Sequence, residues 1–201
     1  GGAWNGRQPD GIQTFVGEWA TQEGRPTPDL NAALADAAFV MGLERNADII
    51  PMECYAPLLA NVSPQDPAKG YPKAWQWGTN LIGYDALHAF GSPSYYAQAM
   101  LGQNKGDVVL PTSAVPSGLF ASAAYATASH TVIVKVVNVG SDPVEMTINL
   151  RGAGEVGPGA TAIVLSGDPK AQNTIDEPMK VSPKEEAIAK PSLSFQRTFP
   201  A

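Results

Sequence analysis

Near Asn104 the hydrophobic pattern of this 201-residue chain changes period. Upstream, Leu30, Ala33, Leu34, Ala37 and Met41 recur at helical spacing and make one apolar face. Downstream, Val144-Glu145-Met146-Thr147-Ile148-Asn149-Leu150 alternates apolar and polar without a fault, as a half-buried antiparallel strand does. A helical period and a strand period in separate halves predict an α/β part over residues 1–103 and an all-β part over 104–201.

In the first part, Ile12 to Trp19 reads as a strand, rich in β-branched and aromatic residues. A helix follows, with Thr27 as cap, Pro28 at the first helical position and Asp29 at the positive helix end, running to about Arg45. Ala47 to Ala60 reads as a second strand, shortened by Pro51 and Pro57. Residues 61–91 read as a long connection, and Ser92-Pro93 opens a second helix that ends near Gly102. Two βα units cannot close a barrel or cover both faces of a parallel sheet. The first part is therefore expected to be the tail of a larger α/β domain.

In the second part, Val108–Leu110, Leu119–Ala126, His130–Val139, Val144–Leu150, Ala160–Leu165 and Ser192–Phe199 read as short strands. Gly140-Ser141-Asp142-Pro143 is expected to be a hairpin loop, and residues 168–191 a long polar loop. Short strands separated by turn signals predict a β-sandwich. Gly152-Ala153-Gly154-Glu155-Val156-Gly157 fits G-x-G-x-x-G, but Pro158 and a strand follow it, so no helix N-terminus is present to hold a pyrophosphate. It is read as a turn.

Charge narrows the function classes. A net charge of -6, with no basic stripe, argues against nucleic acid as partner. No run approaches the ~20 apolar residues of a membrane span, and no charged-then-apolar leader opens the sequence. Cys54 is the single cysteine, so no internal disulfide forms and redox compartment is not readable. The two histidines, His88 and His130, have no His or Cys neighbours at ligand spacing, so neither zinc nor another cofactor is expected. Without a G-x-S-x-G elbow, no serine triad is supported.

The candidate chemistry lies in Phe15-Val16-Gly17-Glu18-Trp19-Ala20. Catalytic groups of α/β barrels stand at the C-terminal ends of strands, where Glu18 is expected. A glutamate there can be the nucleophile of glycoside cleavage, with Trp19 beside it to meet a sugar face; the alternative is a plain surface carboxylate. Glu53, one strand on, could supply a second carboxylate, since retaining glycosidases hold two about 5–5.5 Å apart. Pairing with a base, or a place on the outer side of its strand, is the alternative for Glu53. Glu44 and Arg45 are expected to make structural contacts at a helix end.

Several motifs in order carry a resemblance: FVGEWA, GLERNADII, YAPLLANV, TNLIGYD, SYYAQAML and VKVVNVGSDPVEMTINLRG. From about Ile12 onward the chain resembles the C-terminal part of the family 51 α-L-arabinofuranosidases. The resemblance implies the last strands of a (β/α)8 barrel followed by an antiparallel β-sandwich, and a retaining double displacement. The polymer partner it implies is an arabinose-containing polysaccharide or oligosaccharide such as arabinan or arabinoxylan, and it points toward a secreted or periplasmic location. By the same resemblance Glu18 matches the nucleophile at the end of the seventh strand, Trp19 shapes the sugar pocket, and Asn80 reaches a substrate hydroxyl. The family acid/base belongs to an Asn-Glu pair at the end of the fourth strand, and this sequence has no such pair. Both ends are thus expected to be truncated, with the chain carrying the nucleophile half of the site and inactive alone. A non-catalytic carbohydrate-binding protein using Trp75, Trp77 and Tyr84 as platforms, or a structural sandwich within an assembly, are the competing expectations. The sequence does not indicate an oligomeric state.

Overall fold

A computed structural model describes residues 11–22, 28–63, 77–188 and 191–201. Strand β1 (Phe15–Trp19), helix α1 (Leu30–Glu44) and strand β2 (Met52–Tyr55) form a β-α-β unit in which β1 and β2 pair in parallel. The expected first strand is thus shorter, beginning at Phe15. The helix starts at Leu30, and its cap is Asp29, whose side chain accepts from the Ala32 N–H at 3.0 Å. Asp is the stronger capping acceptor and supersedes the expected Thr27, which lies outside the described residues. At the other end Arg45 is the C-cap, and Asn46 donates its side-chain amide to the Gly42 carbonyl.

The expected second strand is split. After β2 the chain turns through a cis Ala56–Pro57 bond and resumes as β3 (Leu59–Asn61). β3 pairs in parallel with β4 (Ile82–Tyr84), which pairs antiparallel with β5 (Ala89–Gly91). The connection expected over 61–91 therefore contains two strands. At three residues each, they are too short to show alternation. Helix α2 (Pro93–Gln103) begins as expected, with Ser92 accepting from the Tyr95 N–H and Pro93 in the first turn.

From there the described regular elements are all strands. β6 (Val108–Leu110), β7 (Leu119–Ala126) and β8 (Thr131–Asn138) form one antiparallel sheet. His130 stands in the turn before β8 at φ 52°, not in the strand, and its ring meets the Tyr125 hydroxyl at 2.9 Å. β9 (Val144–Asn149) pairs with β12 (Ser194–Phe199), and β10 (Ala160–Val164) with β11 (Lys184–Ile188).

Two expectations fail here. Residues 140–143 do not close a hairpin, because β8 and β9 belong to different sheets. Asn138 explains the crossing: its side-chain amide donates to the carbonyls of Asp142, Phe199 and Pro200, which ties the link to the end of β12. Residues 168–191 are not all loop, because Lys-Glu-Glu-Ala-Ile forms the β11 ladder on β10. Charged and largely exposed, that segment lacks the apolar alternation by which a strand is recognised. The G-x-G-x-x-G segment is a turn, with Gly152 at φ 87°.

One apolar cluster serves both parts of the chain. Leu30, Ala33, Ala37 and Met41 of α1 meet Ala97 and Leu101 of α2, Val137 of β8 and Val181. Helix α1 also packs on β7 and β8. Across this junction Lys135 of β8, almost fully buried, pairs with Glu44 and donates to the Leu101 carbonyl, and Arg45 donates to the Ala121 carbonyl. The structural role expected of Glu44 and Arg45 is therefore joining the parts.

Candidate active site

The parallel pairing of β1 and β2 is not uniform. Phe15 stands opposite Met52 and Val16 opposite Glu53, but Trp19 stands opposite Tyr55. Two residues, Gly17 and Glu18, therefore face the single residue Cys54. An extra residue of this kind re-aims the side chains beside it. Glu18 is exposed, whereas Trp19 is half-buried, with its ring 4.6 Å from Phe39 of α1 and 5.1 Å from Tyr55 between centroids.

Trp19 is held on that side by a polar contact as well. Its indole N–H donates to the Glu53 carboxylate at 2.5 Å. Glu53 and Tyr55 alternate to one face of β2, and Tyr55 is buried. Of the alternatives for Glu53, pairing with a base is not what the structure shows: its described partner is the Trp19 indole. Glu53 is in register with Val16 and not with Glu18.

The strand end carrying Glu18 is fixed at successive residues. The Trp19 carbonyl accepts from the Ala56 N–H at 3.0 Å. The Thr21 N–H donates to Asp36 Oδ1 at 3.1 Å. Asp36, on α1, has 0% exposure, and its other oxygen accepts from the Ser94 hydroxyl of α2 at 2.5 Å. Burial pushes the Asp36 carboxyl above its ordinary value, against hydrogen bonds from Ser94 and Thr21 that pull it down. Tyr55, sharing a hydrogen bond with Thr79 at 2.7 Å, is pushed up to about 12 by burial and then by the Asp36 charge.

This polar network was not anticipated from the motifs. Its signal in the sequence is an acid on the apolar stripe of α1: Asp36 lies three residues after Ala33 and four after Ala32, both buried. Asn80 follows Thr79 and is 1% exposed. Its carbonyl accepts from the Ser92 hydroxyl, but among the described residues neither polar atom of its side-chain amide has a partner. A buried amide in that state costs free energy until something bonds it.

Of the other candidates, Trp77 is 54% exposed and Tyr84 borders on exposed at 36%, while Trp75 lies outside the described residues. His88 is exposed in a turn ordered by Asp85, which accepts from the Leu87 and His88 N–H groups. Those backbone bonds hold the Asp85 carboxyl below its ordinary value. Among the described residues no three His, Cys, Asp or Glu side chains come together as a metal site, and no helix is long and apolar enough to cross a membrane.

The chain is similar to known proteins. The family model described as the alpha-L-arabinofuranosidase C-terminal domain matches residues 7–201. The alpha-L-arabinofuranosidase A of Aspergillus niger is 31% identical over 193 residues, covering 94% of this chain and 28% of that protein. Alpha-L-arabinofuranosidase 1 of Arabidopsis thaliana is 29% identical over 188 residues, 89% of this chain and 26% of that protein. Among solved structures, an arabinose-bound GH51 α-L-arabinofuranosidase superposes with TM-score 0.84 at 32% identity, covering 98% of this chain and 32% of that one. The GH51 enzyme of Thermotoga petrophila shares the fold at TM-score 0.74 and 20% identity, covering 94% of this chain and 41% of that one. The chain thus spans a little over a quarter of the length of these curated relatives. It belongs to the α-L-arabinofuranosidase C-terminal domain family and corresponds to the C-terminal portion of the family 51 enzymes.

Proposed function

We propose that this chain is the nucleophile-bearing portion of a retaining glycoside hydrolase that releases terminal α-L-arabinofuranosyl groups from arabinan- or arabinoxylan-type polymers. The observation that carries the reading is Glu18: an exposed carboxylate at the C-terminal end of a parallel strand, beside an irregularity in the pairing, in a chain of this family. Residues 1–103 are read as the last strands and helices of a (β/α)8 barrel, and 104–201 as an antiparallel β-sandwich. Separate antiparallel sheets after Asn104 support the second assignment.

In the reaction, ionised Glu18 attacks the anomeric carbon from the face opposite the leaving group. The glycosidic bond breaks as a carboxylate–sugar ester forms, and a general acid protonates the departing oxygen. The same group, now a base, takes a proton from water, which hydrolyses the ester and frees Glu18. That acid/base is assigned to a part of the whole protein outside this sequence, because no Asn-Glu pair occurs in it and Glu53 is engaged by Trp19. General acid–base help is worth ~10²–10⁴-fold, so the chain by itself is expected to be inactive on natural substrates.

Trp19 shapes the pocket wall next to the nucleophile from its seat on Phe39 and Tyr55. The unpartnered Asn80 amide is suited to a sugar hydroxyl, which offers both a donor and an acceptor. Glu18→Gln in the complete enzyme tests the reading. Turnover of an aryl α-L-arabinofuranoside should fall by roughly 10⁴-fold or more, with fold and substrate affinity retained. A variant with normal turnover removes Glu18 from the chemistry. If calorimetry then shows this chain binding arabinan independently of Glu18, the exposed Trp77 and Tyr84 become the better account.

A further inference from the structure

Asp36 is a costly residue for its position. It lies on the buried stripe of α1, fully enclosed, among positions that are otherwise apolar. The described partners of its carboxylate are the Ser94 hydroxyl, the Thr21 N–H and the side chains of Thr21 and Tyr55, not a cation. Replacing buried charged groups with apolar ones of similar volume is often neutral or stabilising, so stability alone does not account for it. What distinguishes Asp36 is where its bonds go. One oxygen reaches α2 through Ser94, and the other reaches back to Thr21, three residues beyond Glu18 on the same strand end.

Between Glu18 and Thr21 the chain has little freedom left. Trp19 is held by its carbonyl to Ala56 and by its indole to Glu53, and its ring lies against Phe39 and Tyr55. The Asp36–Thr21 bond ties the end of this strand to the polar interior between the two helices. We infer that Asp36 is a positioning residue for Glu18: its buried carboxylate, braced by Ser94, fixes the strand end so that the glutamate meets the anomeric carbon at reacting distance. This rests on the reading of Glu18 as nucleophile. A side chain that acts through backbone position changes the rate of attack more than the affinity for sugar, since displacement of about 1 Å can cost ~10²-fold in rate.

The test uses the complete enzyme and an aryl α-L-arabinofuranoside whose leaving group is poor enough that attack by Glu18 limits turnover, with competent sites counted by calorimetric titration with arabinose. Asp36→Leu keeps the branched shape and removes the acceptor. Turnover per competent site should fall between about tenfold and a hundredfold, with KM and arabinose inhibition within about threefold of the parent. Asp36→Asn keeps an acceptor for the Thr21 N–H and should restore turnover to within about threefold. Ser94→Ala loosens the brace and should cost several-fold in turnover. The proposal is overturned if Asp36→Leu turns over normally per competent site, or if KM rises while turnover stays. Should Asp36→Leu not fold, Ser94→Ala decides alone: unchanged turnover overturns the proposal, and a several-fold loss at unchanged KM supports it. Glu18→Gln run in parallel separates the two claims. An inactive Glu18→Gln with fully active Asp36 variants removes only the positioning role, whereas an active Glu18→Gln removes the reading on which it stands.

Discussion

Val181→Ala offers a direct test of whether the two parts of the chain share one core. Val181 is 2% exposed and packs in the cluster with Leu30, Ala33, Ala37 and Met41 of α1. Its backbone is held by Asn173, which accepts from the Val181 N–H, donates to the Val181 carbonyl and also donates to the Gly91 carbonyl in the first part. The substitution deletes two methylene equivalents at ~0.8 kcal/mol each, and a residual cavity brings the loss to about 2 kcal/mol. With a urea dependence of about 2 kcal/mol per molar, the unfolding midpoint should drop by about 1 M. All four tryptophans, at positions 4, 19, 75 and 77, precede Asn104, so tryptophan fluorescence reports the first part while the perturbation sits in the second. The expected outcome is one cooperative transition, displaced by the same amount in fluorescence and in far-UV circular dichroism. A fluorescence midpoint that stays put while the dichroism midpoint moves would refute the shared core.

Two further predictions concern α1. Asp29→Ala removes the cap on the Ala32 N–H and should cost about 1 kcal/mol, read as a lowered thermal midpoint; Asp29→Ser should recover most of it. Asp36 has a folded-state pKa raised above 3.8 by burial, so the folded state holds its proton more tightly than the unfolded state. Its contribution to stability is then greatest below the unfolded value and is lost as pH rises through the raised folded value. The thermal midpoint of the parent relative to Asp36→Asn, which cannot titrate, should decline from acid toward neutral pH. A difference independent of pH would mean that the carboxyl is not buried as described.

Local order was legible wherever a pattern was long. The helix from Leu30, capped at Asp29, the helix opened by Ser92-Pro93 and the alternating strand from Val144 to Asn149 each carry their signal over several turns or residues. β4, β5 and β11 escaped notice because they are short or charged; β4 and β11 are defined by ladders on β3 and β10, well separated in sequence, and β5 by its ladder on β4. Glu18 was legible as a carboxylate following an apolar strand. Asp36 was visible only as an acid out of place, and the Thr21 N–H that it holds has no signature at all, since every residue but proline carries one.

What the residues determine by themselves is periodicity, capping and turn chemistry, because those interactions act between neighbours a few positions apart. They therefore determine two helices, a change to strands after Asn104 and a glutamate at a strand end. Tertiary structure decides which strands pair, that 140–143 crosses between sheets, and that α1 buries its stripe against both parts. It also decides that Trp19 turns to Glu53 and Phe39 while Glu18 stays exposed. The reason is the range of the forces: packing and register are settled among groups dozens of residues apart, where only the folded geometry brings the partners within bonding distance.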